Sequence, residues 1–96
     1  MHWQPTKMSE TEGLIAAVRR FPSASLRIGQ LLAVNESFRG LCDDLAIAER
    51  ALGDIDGLPA PVRDERRAEY AELIAGLAAE IIAALNRARI AENSRG

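Results

Sequence analysis

The stretch ESFRGLCDDLAIAERAL, residues 36–52, sets the chain's one cysteine, Cys42, beside Asp43 and Asp44 and one turn after Arg39. A thiol could serve there as a nucleophile or redox sensor, given a lowered pKa and a base in reach. Neither condition is met. Neighbouring carboxylates raise a thiol pKa, and the single histidine, His2, lies near the start of the chain. Asp43 and Asp44 do not make an acid/base dyad, because adjacent helical residues point about 100° apart and cannot share a proton. Arg39 and Asp43 have the i,i+4 spacing of an exposed ion pair, worth a few tenths of a kcal/mol. Asp44 falls where it could accept a hydrogen bond from the Tyr70 hydroxyl. One cysteine and one distant histidine offer no HxxxH or CxxC pair toward the four ligands of a structural zinc site. The expectation is a buried, unreactive Cys42, with no catalytic residue, no metal and no cofactor.

RDERRAEY, residues 63–70, is the other charged cluster. Its three arginines would suit a phosphate backbone, but Asp64, Glu65 and Glu69 are interleaved with them at pairing distance, Asp64 with Arg67 and Arg66 with Glu69, so the field largely cancels. Twelve basic against fourteen acidic residues give a formal net charge of -2. Nucleic acid is therefore disfavoured as a partner. An all-α enzyme of the chorismate mutase kind needs several buried cations around a dicarboxylate, and the only lysine, Lys7, falls outside the helices read below.

Those helices are the elements that must position any site. The composition is 48% hydrophobic and only 4% aromatic, rich in alanine and leucine, which favours helices over sheet. Residues 1–8 lack periodicity and read as a flexible lead-in. Ser9 and Glu12 have capping-box spacing, followed by Leu14, Ile15, Val18 and Phe21 at helical spacing until Pro22, which predicts a short helix over 10–21. Ser23 or Ser25 can cap a second short helix carrying Leu26, Ile28, Leu31 and Leu32, and Asn35 can cap the next. From there Phe38, Leu41, Leu45, Ala48 and Leu52 follow at intervals of 3 and 4, a packing seam that Gly53 ends. DIDGLPAP, residues 54–61, is a turn. The return helix, about 62–91, carries Tyr70, Ile74, Leu77, Ile81, Ala84 and Ala88 on one seam, with Leu73, Ala78 and Leu85 widening it. The expected fold is all-α, two short N-terminal helices plus a long antiparallel helical hairpin in a small helical bundle. It forms one domain over 9–92 with a flexible end at 93–96. The hairpin core is Phe38, Leu41, Leu45, Leu52, Tyr70, Leu73 and Ile74.

The segments LIAAVRRFP, SFRGLCDDLAIAERAL and EYAELIAGLAAEIIAAL resemble, in that order, a group of small, functionally uncharacterised bacterial helical proteins. Those chains carry an F-R-x-L-C-x-D helix followed by an E-Y-x-x-L-x-x-x-L-x-x-E-I helix. Here the matching positions are Phe38, Arg39, Leu41, Cys42 and Asp44, then Glu69, Tyr70, Leu73, Leu77, Glu80 and Ile81. The resemblance implies a helical fold and carries no activity or ligand. In architecture alone, the expected hairpin is similar to the Rop-like proteins that bind RNA as four-helix dimers.

No stretch near the N-terminus has the apolar core of a secretory signal, and no run reaches the roughly 20 apolar residues of a membrane span, so a cytoplasmic protein that binds no membrane is expected. The return helix outlasts the one before it and keeps apolar residues along the overhang. Leu77, Ile81, Ile82, Leu85 and Ile90 are therefore the candidate self-association residues, to be covered by the N-terminal helices through Leu14, Val18, Ile28 and Leu31, by a second chain, or by both. The functional expectation is a non-enzymatic protein-interaction or self-association module whose partner is a second copy or another protein. An RNA- or DNA-binding bundle dimer is the alternative, and a small all-α enzyme comes third.

Overall fold

The computed structural model describes residues 5–95, with side chains over 12–92. The chain is all-α, and no strand occurs among the described residues. Four helices follow one another: α1 (Pro5–Arg20), α2 (Ser25–Val34), α3 (Glu36–Asp54) and α4 (Ala60–Arg95). Short 3-10 turns at Pro22–Ala24 and Ile55–Gly57 separate α1 from α2 and α3 from α4.

Local chemistry sets most of these boundaries. The described part of α1 begins at Pro5. Ser9 and Lys7 thus fall inside α1, whose 16 residues exceed the expected short helix. His2 and Trp3 lie outside the described residues. Pro22 disfavours helical backbone at the residue before it, and Phe21 sits at φ -128° and ψ 67°, which ends the run. Neither serine caps α2: its N-cap is Ala24, which has no side-chain cap bond.

Asn35 joins α2 to α3. Its backbone N–H donates to the Leu31 carbonyl at 2.9 Å, closing α2, and its Oδ1 accepts from the Phe38 N–H at 3.0 Å, opening α3. Arg39 Nη1 donates to the Leu32 carbonyl at 2.7 Å, so a cation satisfies an acceptor left over at the end of α2. Gly53 does not stop α3, which runs on to Asp54, and no described residue has positive φ. Helix α4 spans 36 residues, longer than expected at both ends.

Helix α3 lies in the middle, packed against α1 on one side and α4 on the other, while α1 and α4 do not meet among the described residues. Helix α2 touches all three. The core is therefore centred on Phe38, Cys42, Leu45 and Ala48 of α3. Ile74, Leu77, Ile81, Ala84 and Leu85 close it from α4, and Ile28 from α2.

Helix α1 corrects the sequence reading. Leu14 and Ile15, expected to face inward, are 37% and 49% exposed, while Gly13, Ala16 and Ala17 are buried. The cause is the closeness of α1 to α3. A Cβ at Gly13 would lie 2.6 Å from Asp43 Oδ1 and 3.0 Å from backbone atoms of Cys42 and Asp43. A helix that comes within reach of another helix's backbone must turn its smallest residues toward it, and the larger ones are left on its other sides. Gly13 meets Cys42–Asp43 and Arg20 pairs with Glu49 at 2.9 Å, so the contacts advance in the same direction along both helices. Glu12 and Arg50 form a second ion pair across this contact.

Alanine is ordinarily the better helix residue, by about 0.5–1 kcal/mol over glycine. Gly76 has no atom within 4 Å of a Cβ, and Gly76→Ala is expected to gain about that much. Gly13→Ala is expected instead to lose about 1–3 kcal/mol, because the backbone of α3 cannot give way as a side-chain end could. Urea titration of the two variants reads both signs; stabilisation by both would show that α1 stands off from α3.

Candidate functional site

Cys42 is fully buried. It faces the core from α3, one residue before the point where Gly13 brings α1 against the backbone. Burial pushes its thiol up from the ordinary 9.0 to about 12, and the neighbouring Asp43 carboxylate adds to the rise. A thiol held neutral and out of solvent has no nucleophile to offer at physiological pH. Asp44 is exposed and Tyr70 half-buried, and no hydrogen bond joins them. Among the described residues, no three His, Cys, Asp or Glu side chains gather to hold a metal ion.

The arginines of RDERRAEY have local partners. Arg66 pairs with Glu69 at 3.1 Å, as its spacing suggests. Arg67 pairs with Asp56 of the preceding turn at 3.4 Å, and not with Asp64. Arg63 Nη1 donates to the Leu58 carbonyl at 3.5 Å. No helix is long and apolar enough to cross a membrane among the described residues.

What remains is surface shape. A groove of about 410 Å³ runs between α1 and α3 over Ile15, Ala16 and Ala46. The Glu12–Arg50 pair and Glu49, itself bound to Arg20, line it together with Arg19. A larger groove of about 680 Å³ lies between α2 and the far half of α4. Ala24, Leu26, Ile82 and Leu85 are its apolar lining, and Arg27 and Glu92 join across it at 3.4 Å. Leu26 is 75% exposed.

The sequence-predicted residues divide sharply on this structure. Of the self-association set, Leu77, Ile81 and Leu85 are buried within the chain, whereas Ile82 and Ile90 are 44% and 59% exposed. Of the hairpin core, Phe38, Leu45 and Ile74 are buried, Leu41, Leu52 and Tyr70 half-buried, and Leu73 is exposed on the outer side of α4. Helix α2 meets α4, with Leu26, Arg27 and Gln30 beside Ile82, Leu85 and Glu92, and its Ile28 and Leu31 belong to the core or pack on it, while α1, which carries Leu14 and Val18, does not touch α4 among the described residues. Leu26 sits among apolar residues of α2, so its spacing carries no signal that it points outward.

The raised thiol pKa has a stability consequence with a definite sign. Below about pH 9 both folded and unfolded chains keep the proton, so the thiol's contribution is fully present; above it the unfolded chain loses the proton first, and stability falls until the pH passes about 12. Denaturation midpoints measured from pH 8 to 11 should decline, and less steeply in Cys42→Ala. Labelling by a thiol reagent should be slow in the native protein and fast in denaturant; fast native labelling would mean that the α1 contact does not shield the thiol.

No family model, curated protein or solved structure matches the chain.

Proposed function

We propose that this chain is a non-enzymatic interaction module that works as a homodimer in the cytoplasm, with α3 and α4 as an antiparallel hairpin at its centre. The observation that carries the reading is excess surface. The chain exposes 6629 Å², against about 5,400 Å² for a compact monomer of its mass. The chain thus shows more surface than a compact monomer of its mass. The radius of gyration, 15.4 Å, is likewise above the ~12.5 Å of a compact domain of this length. Part of the surplus is apolar: Leu26, Ile82 and Ile90 are all on the outside. The five-residue connection between α3 and α4 and the packing of the two helices support the hairpin. The buried, neutral Cys42 supports a role without covalent chemistry.

Sedimentation equilibrium at tens of micromolar is expected to give twice the mass of 10.4 kDa. Ile82→Glu should return the monomer with its helical content intact, since that side chain adds little to the chain's own core. Leu45→Ala, at a fully buried position, should instead cost about 2–5 kcal/mol of fold stability. A wild type that remains monomeric at several hundred micromolar would overturn the proposal.

A further inference from the structure

We propose that the groove between α2 and the far half of α4 binds a small amphipathic monoanion, an apolar chain or ring ending in one carboxylate. This goes beyond the homodimer reading and does not rest on it. The groove, about 680 Å³, falls in the range of ~300–1,000 Å³ in which small-molecule sites are found. Its charged lining residues are Arg27, Arg89 and Glu92, so two cations against one carboxylate leave a single positive charge. Beside them Leu26 and Ile82 are 75% and 44% exposed, an apolar wall next to that charge. The groove between α1 and α3 differs: Arg19 and Arg50 face Glu12 and Glu49 there, and the charges cancel.

Both arginines have hydrogen-bonding capacity left over. Arg27 Nη1 is buried with no hydrogen-bond partner among the described residues, a costly state for a charged donor. Its Nη2 meets Glu92 Oε1 at 3.4 Å, beyond the ~2.7–2.9 Å of a charge-assisted hydrogen bond. The Glu92 side chain is itself 56% exposed, and surface pairs of this kind hold weakly. Arg89 is exposed and in no ion pair among the described residues. A ligand carboxylate offers what Glu92 offers, with better geometry. It takes the place of Glu92, the guanidinium turns outward from its closed position, and both Nη atoms donate to the two oxygens, the fork that arginine presents to carboxylates. Arg89 supplies the second cation. The apolar body of the ligand then lies on Leu26, Ile82 and Leu85 and covers surface that the chain leaves in water. A dianion would exceed the single positive charge of the groove, and a cation would find only Glu92.

Isothermal titration with decanoate, kept below its micelle-forming concentration, reads the site. One equivalent per chain is expected to bind. Decyltrimethylammonium, with the same alkyl chain and the opposite charge, and acetate, with the carboxylate alone, are expected not to. Arg27→Gln and Arg89→Gln should each weaken decanoate about tenfold, the loss of a charge-assisted contact. Arg19→Gln, at another exposed cation beside apolar residues, should leave binding unchanged. Arg89→Gln alters an exposed side chain, so it reads the site even where Arg27→Gln disturbs the packing of α2 on α4. Glu92→Gln should tighten binding, because the ligand no longer displaces a carboxylate; a weakening there overturns the exchange at Arg27. Absence of decanoate binding overturns the proposal, and so does binding that both arginine variants leave intact or that the cation matches. Sedimentation of the ligand-free chain reads the homodimer separately, so either reading can fail alone.

Discussion

Helix α4 has 36 residues and α3 has 19, a difference of about 25 Å at ~1.5 Å per residue, and the rest of the structure answers that mismatch. A helix with an apolar seam along most of its length cannot leave the unmatched part in water without losing what burial contributes, about 25 cal/mol per Å². Helix α2 supplies the cover. Its ten residues leave the end of α1 through the Pro22 turn, bury Ile28 completely and reach α4 near Ile82, Leu85 and Glu92. Ten residues span only about 15 Å, so α2 is itself too short for the whole difference. Ile81 and Leu85 are sheltered, and Ile82 and Ile90 are left outside.

The position of α2 depends in turn on α1. The α1–α3 contact is held by closeness and not by large side chains: glycine at the point of approach, then two alanines, with dispersion summed over many short contacts. The ion pairs Arg20–Glu49 and Glu12–Arg50 are exposed, and surface pairs of this kind are worth about 0–1 kcal/mol each. They orient α1 more than they hold it. The same contact keeps water from the α3 backbone beside Cys42, so the inert thiol and the outward-facing Leu14 and Ile15 share one cause, the missing side chain at Gly13.

The contrast between α3 and α1 shows what can be read from residue order. In α3 the seam Phe38, Leu45, Ala48 faces the core as its spacing requires, and Asn35 caps through the side chain that its type suggests. Cys42 is buried, as its lack of a base or metal-ligand neighbour indicates. In α1 the largest apolar residues mark the inner face only when helices pack at ordinary separation. The small residues Gly13, Ala16 and Ala17 are a signal of closer approach, but alanine is so frequent in this chain that their spacing does not stand out. Nor does the sequence show that Gly53 would stay helical, since a glycine can end a helix or continue it, and here the 3-10 turn that follows decides.

Partial cover also divides the apolar residues of α4 between the core and the surface. Side chains at Leu77, Ile81 and Leu85 are used inside the chain, and a substitution there acts on the fold. Ile82, Asn86 and Ile90 lie one step around the same helix and contribute little to the chain's own core, so changes in them act on whatever meets that face. The two sets are interleaved in sequence, one and four residues apart, and are told apart only by the position of α2. Leu26, Arg27 and Gln30 of α2 line the groove beside Ile82 and Leu85, and of those two only Leu85 is buried. The position of α2 between Pro22 and Asn35 thus bears on which apolar residues of α4 the single chain leaves exposed.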